Sequence, residues 1–305
     1  MSDKVRQMTN KVVLTGKVTE FEMKTGTIQN GESKGAPYLR LKGSIQFGDH
    51  KAMERSFERF VQEYRVKDGA KKENKAYAKT LEWANSVKSV AKVGWDEATE
   101  VSLQCSFATN DYVNKEEKLI EALKQDIAFI NDVDGEYGAT ADVEGYISAI
   151  TPEVKGEDKE ETGRLRVTIL TNDFFGNIIP VKNIIVPAEL KEAFEDNYEV
   201  GQTAKVFITY ELHKGEEKPK KTGGIGVQRT TDGKSYVEMI LTGADPAIDE
   251  DEEGAFSKEA VRICLAERKA MLEKLKEAGY QGSTGKSISS AKPASTPITD
   301  EDLPF

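Results

Sequence analysis

Two groups of side chains in this sequence have types and spacings that could do chemistry. The first mixes cations with aromatic rings. Tyr38, Arg40 and Lys42 alternate in one run and Lys51, Arg55, Phe57 and Arg59 in the next; Lys17, Lys24 and Lys34 lie in or near the run and loop before them, and Tyr112 lies further on. Such a mixture suits a single nucleic-acid strand held without reading its sequence, because cations neutralise phosphates and every base offers a π-face to an aromatic ring. The competing role for any one ring is core packing. For Phe57 the two roles weigh equally, whereas the polar neighbours of Tyr38 and Tyr112 favour stacking. Arg164, Arg166, Phe174, Phe175 and Lys182 form a parallel set later in the chain, and Trp83 and Trp95 read as anchors to a core or loop. The second group is the last six residues, Asp300, Glu301, Asp302, Leu303, Pro304 and Phe305. A terminal ring beside a free carboxylate can enter an apolar pocket while three acidic side chains pair with a basic rim.

Other combinations fail on spacing. Gly282–Ser287 resembles part of a phosphate-binding loop, but Tyr280 stands where a glycine is needed and no strand precedes it. His50 and His213 with Cys105 and Cys264 are too few for a zinc module or a disulfide framework. The acidic run 249–253 lacks the spacing of a calcium loop. No catalytic constellation is present, so neither an enzyme nor a metal or cofactor site is expected.

The elements that must position the first group follow a pattern that occurs twice: five strand-like runs with a helical stretch between the third and fourth. In the first copy, 11–21 places Val12, Leu14, Gly16 and Val18 on one face, and 38–47 sets Leu39, Leu41, Gly43, Ile45 and Phe47 opposite Tyr38, Arg40, Lys42, Ser44 and Gln46. A weaker strand over 53–61, a helix within 71–93, and strands over 100–107 and 118–130 complete it; the helix-favouring IEALKQ makes the last one ambiguous. The second copy runs 140–150, 164–171, 177–186, a helix over 188–196 opened by Pro187, then 204–212 and 236–242. This order is that of an OB-fold, a five-stranded Greek-key barrel whose second and third strands and flanking loops form a binding face. The expected fold is mainly β: two tandem OB barrels, residues 1–130 and 131–245, with one larger sandwich as the alternative. Residues 246–280 read as an acidic linker and a helix capped by Ser257, with a Phe256–Val261 staple and a stripe of Val261, Cys264, Leu265, Met271, Leu272 and Leu275 that packs on a barrel or forms a dimer contact. Residues 281–305 are too poor in apolar groups to offset ordering entropy and are expected to be disordered.

Bulk charge is misleading here. The 305 residues carry a net charge of −10, which by itself argues against a nucleic-acid partner. Residues 1–130, however, hold 22 Lys/Arg against 19 Asp/Glu, whereas 131–245 hold 13 against 22 and 246–305 hold 8 against 12. Exposed charges are screened beyond about 8–10 Å at physiological salt, so a basic first segment can act locally. No apolar run approaches the ~18–20 residues needed to cross a bilayer, and no signal-peptide core is visible.

The opening strand Asn10-Lys11-Val12-Val13-Leu14-Thr15-Gly16-Lys17-Val18, the hairpin-like 101–130 around Tyr112, and the tip Asp300–Phe305 together resemble bacterial-type single-stranded DNA-binding proteins. That resemblance implies an OB-fold protein that coats and protects single-stranded DNA during replication, recombination and repair and recruits partner proteins through the acidic tip. Two copies in one chain look more like a bacteriophage-encoded version acting in the bacterial cytoplasm, either alone or as a homo-oligomer. The alternative is an OB-fold adaptor that binds proteins and no DNA.

Overall fold

The computed structural model describes residues 6–67, 69–155, 160–219 and 230–280. The tip 300–305, the tail from 281 and the Gly282–Ser287 segment lie outside the described residues. The first half of the chain runs β1 (Asn10–Thr27), β2 (Pro37–Gln46), β3 (Glu54–Gln62), a small hairpin of β4 (Tyr64–Lys67) and β5 (Ala70–Glu73), α1 (Lys75–Ser86), α2 (Val90–Val93), β6 (Glu100–Thr109), a second small hairpin of β7 (Tyr112–Val113) and β8 (Leu119–Ile120), and β9 (Leu123–Asn131). The second half runs β10 (Gly138–Lys155), β11 (Glu160–Asn172), β12 (Ile178–Val186), a 3-10 turn (Ala188–Leu190) leading into α3 (Lys191–Asn197), β13 (Thr203–Pro219), β14 (Thr230–Ala244) and α4 (Lys258–Ala278). The chain is mainly β, and no helix among the described residues is long and apolar enough to cross a membrane.

β1, β2, β3, β9 and β6 pair in that order, and β6 returns to β1, closing a five-stranded mixed barrel in which only β3–β9 is parallel. β10, β11, β12, β14 and β13 pair in the same cyclic order, again with one parallel pair, β12–β14, and with β13 returning to β10. One strand can serve two neighbours in this way only by bending sharply between them. Gly16 sits at that bend in β1 and Gly145 at the matching place in β10. A Cβ on Gly16 would lie 2.0 Å from the Gln46 carbonyl oxygen, and one on Gly145 would lie 2.2 Å from that of Leu170, so only glycine lets the next backbone approach. The first strand's alternation is borne out, with Val12, Leu14 and Val18 fully buried.

The two rings are not beads on a string. β1 and β10 form an antiparallel ladder from Asn10↔Val143 to Thr15↔Gly138, so ten strands share one sheet and the main core cluster draws side chains from both rings. Asn10 reinforces the junction: its Nδ2 donates to the carbonyls of Phe107 (3.0 Å) and Asn172 (3.3 Å), and its Oδ1 accepts from the Phe107 amide.

Of three local expectations, two need correction. The helix expected within 71–93 begins only after Asn74, whose side chain caps it by accepting from the Ala76 amide, and it breaks at Val87; Lys71 belongs to β5 instead. The strand read over 118–130 is present as β8 and β9, where pairing of β9 with β6 outweighs the helix propensity of residues 120–125. β13, expected to end at 212, runs on to Pro219 and stays paired with β14. The start of α4 behaves as read: Ser257 accepts from the Ala260 amide, and Phe256, Val261 and Cys264, with Leu265 beside them, pack in a second cluster with Met8, Tyr146, Leu170 and Ile178.

Candidate nucleic-acid interface

Cross-strand partners in an antiparallel pair project to the same face. The β2–β3 register therefore sorts the candidates. Tyr38, Arg40 and Lys42 pair with Gln62, Phe60 and Glu58 on the outer face, while Ile45, Gly43 and Leu41 pair with Arg55, Phe57 and Arg59 on the inner face. Phe57 is accordingly a core residue, 3% exposed, and presents no ring to a base. Arg59 donates Nη1 to the carbonyls of Ile127 and Ala128 on the neighbouring β9. Arg55 also points inward, toward the second ring. Sequence alternation could not make this division, because β3 carries charged and aromatic residues on both faces.

The outer face gains a ring that sequence reasoning missed. Phe60 is 52% exposed and its centroid lies 5.2 Å from that of Tyr38, giving a two-ring platform on adjacent strands. The Tyr38 ring lies across Gly26 of β1, where a Cβ would come within 2.7 Å of the hydroxyl. Phe129 on β9 is likewise exposed. Phe60 shares its β3 face with Glu58, and only the pairing with β2 shows that this face is the outer one.

Cations and carboxylates interleave around this platform. Glu58 sits at the centre, 2.5 Å from Arg40, 3.1 Å from Lys124 and 3.9 Å from Lys42. Burial works to raise its pKa, but Lys124 and Arg40 outweigh that and hold the carboxyl below its ordinary value. Lys24 is exposed and 3.2 Å from Glu22. Lys34 lies in the exposed β1–β2 loop and Lys51 in the exposed β2–β3 turn. Lys17 departs from the group: it is 7% exposed, its Nζ donates to the Trp95 carbonyl at 2.8 Å, and it pairs with Glu100.

The β4–β5 hairpin adds a basic element that a Lys-rich, non-alternating sequence hides. Arg65 faces Lys72 across it, β5 is exposed along its length, and the Lys71 ammonium stands 3.7 Å over the Tyr64 ring. The Val66 amide donates to Ser33 Oγ at 3.1 Å, docking the hairpin onto the loop that carries Lys34. On the other side, Tyr112 is 47% exposed on β7. Its hairpin is pinned by Arg268 of α4, which reaches Asp111 at 2.9 Å and Glu121 at 3.0 Å.

The second ring uses its arginines differently. Arg164 grips the fully buried Glu153 and also Glu238, and Arg166 reaches Glu153 at 2.9 Å and Asn183 at 3.1 Å. Burial opposes ionisation of Glu153, but hydrogen bonds and charge from Arg164, Thr162 and Arg166 pull its pKa down to about 2. Lys182 lies 3.5 Å from Glu121. Phe174 and Phe175 stand 83% and 79% exposed on a turn fixed by Asp173, which accepts from the Phe175 and Asn177 amides. Trp83 packs edge-on against Phe21 and is an anchor, as expected. Burial pushes the Cys105 thiol up to about 12 and Cys264 to about 11, so neither is a ready nucleophile.

Among solved structures, wild-type single-stranded DNA binding protein from Thermus aquaticus is similar at 10% identity with a TM-score of 0.44, over 82% of this chain and 98% of that one. A deletion variant of the same Thermus protein gives 11% identity and a TM-score of 0.45 over 81% and 98%. Likeness at this level carries no functional argument. No curated protein matches the sequence. The YorF family model matches residues 9–278, and the chain belongs to the YorF family.

Proposed function

We propose that this protein binds single-stranded DNA without sequence preference, on the outer face of β1–β3 and the loops beside it. The observation that carries the reading is the Tyr38–Phe60 platform, an exposed Phe60 ring beside a half-buried Tyr38 ring on the second and third strands of a closed five-stranded ring, bordered by Arg40, Lys42 and Lys24. These are the strands that serve as the binding face in an OB barrel. Lys34, Lys51, Tyr112 and the β4–β5 hairpin extend the surface from either side. Both rings are read as OB-folds, divided at about residue 130, with the second serving chiefly as scaffold. Binding combines phosphate neutralisation with base stacking and weakens steeply as salt rises.

The biological setting follows from that chemistry and from the motif resemblance: coating of exposed strands during replication, recombination and repair in a bacterial cell, by a bacteriophage-encoded protein. The tip Asp300–Phe305 recruits partner proteins. Fluorescence titration with oligo-dT at two salt concentrations, beside a duplex of equal length, tests the reading. Tight, salt-sensitive binding to the single strand is expected; no binding, or equal affinity for duplex, refutes it. Glu58, in contact with three cations of the platform, favours a second reading, an adaptor whose face docks protein. The same titration discriminates, since an adaptor leaves the oligonucleotide unbound.

A further inference from the structure

Arg55 leaves the outer face but does not enter a neutralised core. It lies in a cleft of about 370 Å³ between the rings, walled by β3 and β9 on one side and by β11–β14 on the other. Volumes of this order hold small molecules. The guanidinium stands 5.3 Å from the centroid of the buried Tyr210 ring. Its hydrogen bonds run only to carbonyls, 2.9 Å to its own neighbour Glu54 and a long 3.5 Å to Val237. Among the described residues no carboxylate pairs with it. Arg164, Arg166 and Arg268 of the same region each reach a carboxylate within 3.0 Å. The one acid lining the cleft, Glu238, is taken by two bonds from Arg164 at 2.9 and 3.0 Å. A guanidinium withdrawn from water without a counter-charge is costly and favours an incoming anion; burial accordingly lowers its pKa.

A second observation comes from the opposite wall. β12 places two residues, Lys182 and Asn183, between Val181 and Ile184, where β11 places only Thr168 between Ile169 and Val167, so β12 bulges there. Asn183 adopts φ 62°, a left-handed conformation that asparagine tolerates and that few other side chains adopt. Bulges of this kind re-aim side chains and gather beside binding sites. Here the bulge breaks a run of buried residues and sets Lys182 and Asn183 in the cleft wall. Tyr236, 41% exposed, supplies an aromatic face in the same wall.

We infer that this cleft takes one nucleotide of a bound single strand as it passes from the first ring to the second, with the phosphate at Arg55 and Lys182 and the base against Tyr236. The inference rests on the single-strand reading above and adds to it a site between the rings. A charge-assisted contact to the phosphate fixes the strand, and the neighbouring ring offers a stacking surface that any base can use.

The test uses the full chain. Wild type, Arg55→Gln, Arg55→Lys and Lys182→Gln are titrated with oligo-dT across a salt series, with thermal unfolding of each. Arg55→Gln should lower affinity about tenfold and make the salt dependence shallower by about 0.7 in log–log slope, the loss of one phosphate contact on a single strand. Arg55→Lys should recover most of the slope, because the charge returns, and Lys182→Gln should show a smaller loss. Unfolding temperature should hold or rise for Arg55→Gln, since an unpaired buried charge is removed. A 5-bromodeoxyuridine oligonucleotide should photocross-link to the peptide containing Tyr236. If wild type binds and Arg55→Gln keeps both affinity and slope, or no cross-link maps to that peptide, the cleft is not on the strand's path and only this inference falls. If wild type binds no single strand, the functional reading falls with it.

Discussion

The second strand of each ring carries arginines, and the two rings use them in opposite ways. On β2, Arg40 is part exposed beside the half-buried Tyr38 ring and the exposed Phe60 ring, and shares a carboxylate that Lys124 also holds. On β11, Arg164 and Arg166 converge on Glu153, which has no exposed side-chain surface. The pairing order is the same, so the backbone does not decide what a ring can bind; the exposure of its cations does. An arginine that already makes bidentate bonds to buried carboxylates must give them up to meet a phosphate. Arg40, itself part exposed and leaving Glu58 still held by Lys124, exchanges partners at less cost. The −9 balance of residues 131–245 therefore matters less than the fact that their best cations are already engaged.

The largest expected effect breaks the second ring's network. Glu153→Ala leaves Arg164 partly buried and short of a partner, which should cost about 3 kcal/mol or more, read as a lower urea midpoint with oligonucleotide affinity retained near the stability plateau. Acid should do the same without mutation. Because the folded pKa of Glu153 is about 2 against an ordinary 4.5, its contribution is complete above about pH 4.5 and lost as pH falls toward 2. A urea series from pH 6 to pH 3 should show stability falling over that window, with less slope in Glu153→Gln.

A smaller effect sharpens the comparison from the α4 side. Arg268→Gln removes the clamp on Asp111 and Glu121 and should cost about 2–3 kcal/mol, because Asp111 is left buried without its partner. Hydrogen exchange should then rise first in β7–β8, and Tyr112 should contribute less to binding. Smallest is the charge on the β4–β5 hairpin. Lys71→Gln with Lys72→Gln should weaken oligo-dT binding by a few-fold and flatten the salt dependence, while unfolding temperature stays within about a degree or two, since both side chains are exposed.

Much of this frame was legible in residues alone. β1 and β2 declare themselves by strict alternation, and Ser257, Phe256 and Val261 mark the start of α4. What stayed hidden is set by pairing across the chain. β3 has cations and rings on both faces, so only its register with β2 turns Phe57 inward and Phe60 outward. Lys17 reads as a surface cation, yet it lies buried in β1 with its ammonium on the Trp95 carbonyl, as long aliphatic stems allow. The β1–β10 ladder has no sequence mark, because nothing local distinguishes an edge that will be paired from one that will not.

The most direct test of the central claim compares two aromatic pairs in one assay. Oligo-dT affinity is measured for the full chain, for Tyr38→Ala/Phe60→Ala and for Phe174→Ala/Phe175→Ala, at one salt concentration, with unfolding temperatures as controls. Stacking is worth about 1–3 kcal/mol per base, so the first variant should bind at least tenfold more weakly than wild type while remaining folded, and the second should stay within a few-fold. A folded Tyr38→Ala/Phe60→Ala protein that binds as tightly as wild type would contradict the assignment of the β1–β3 face.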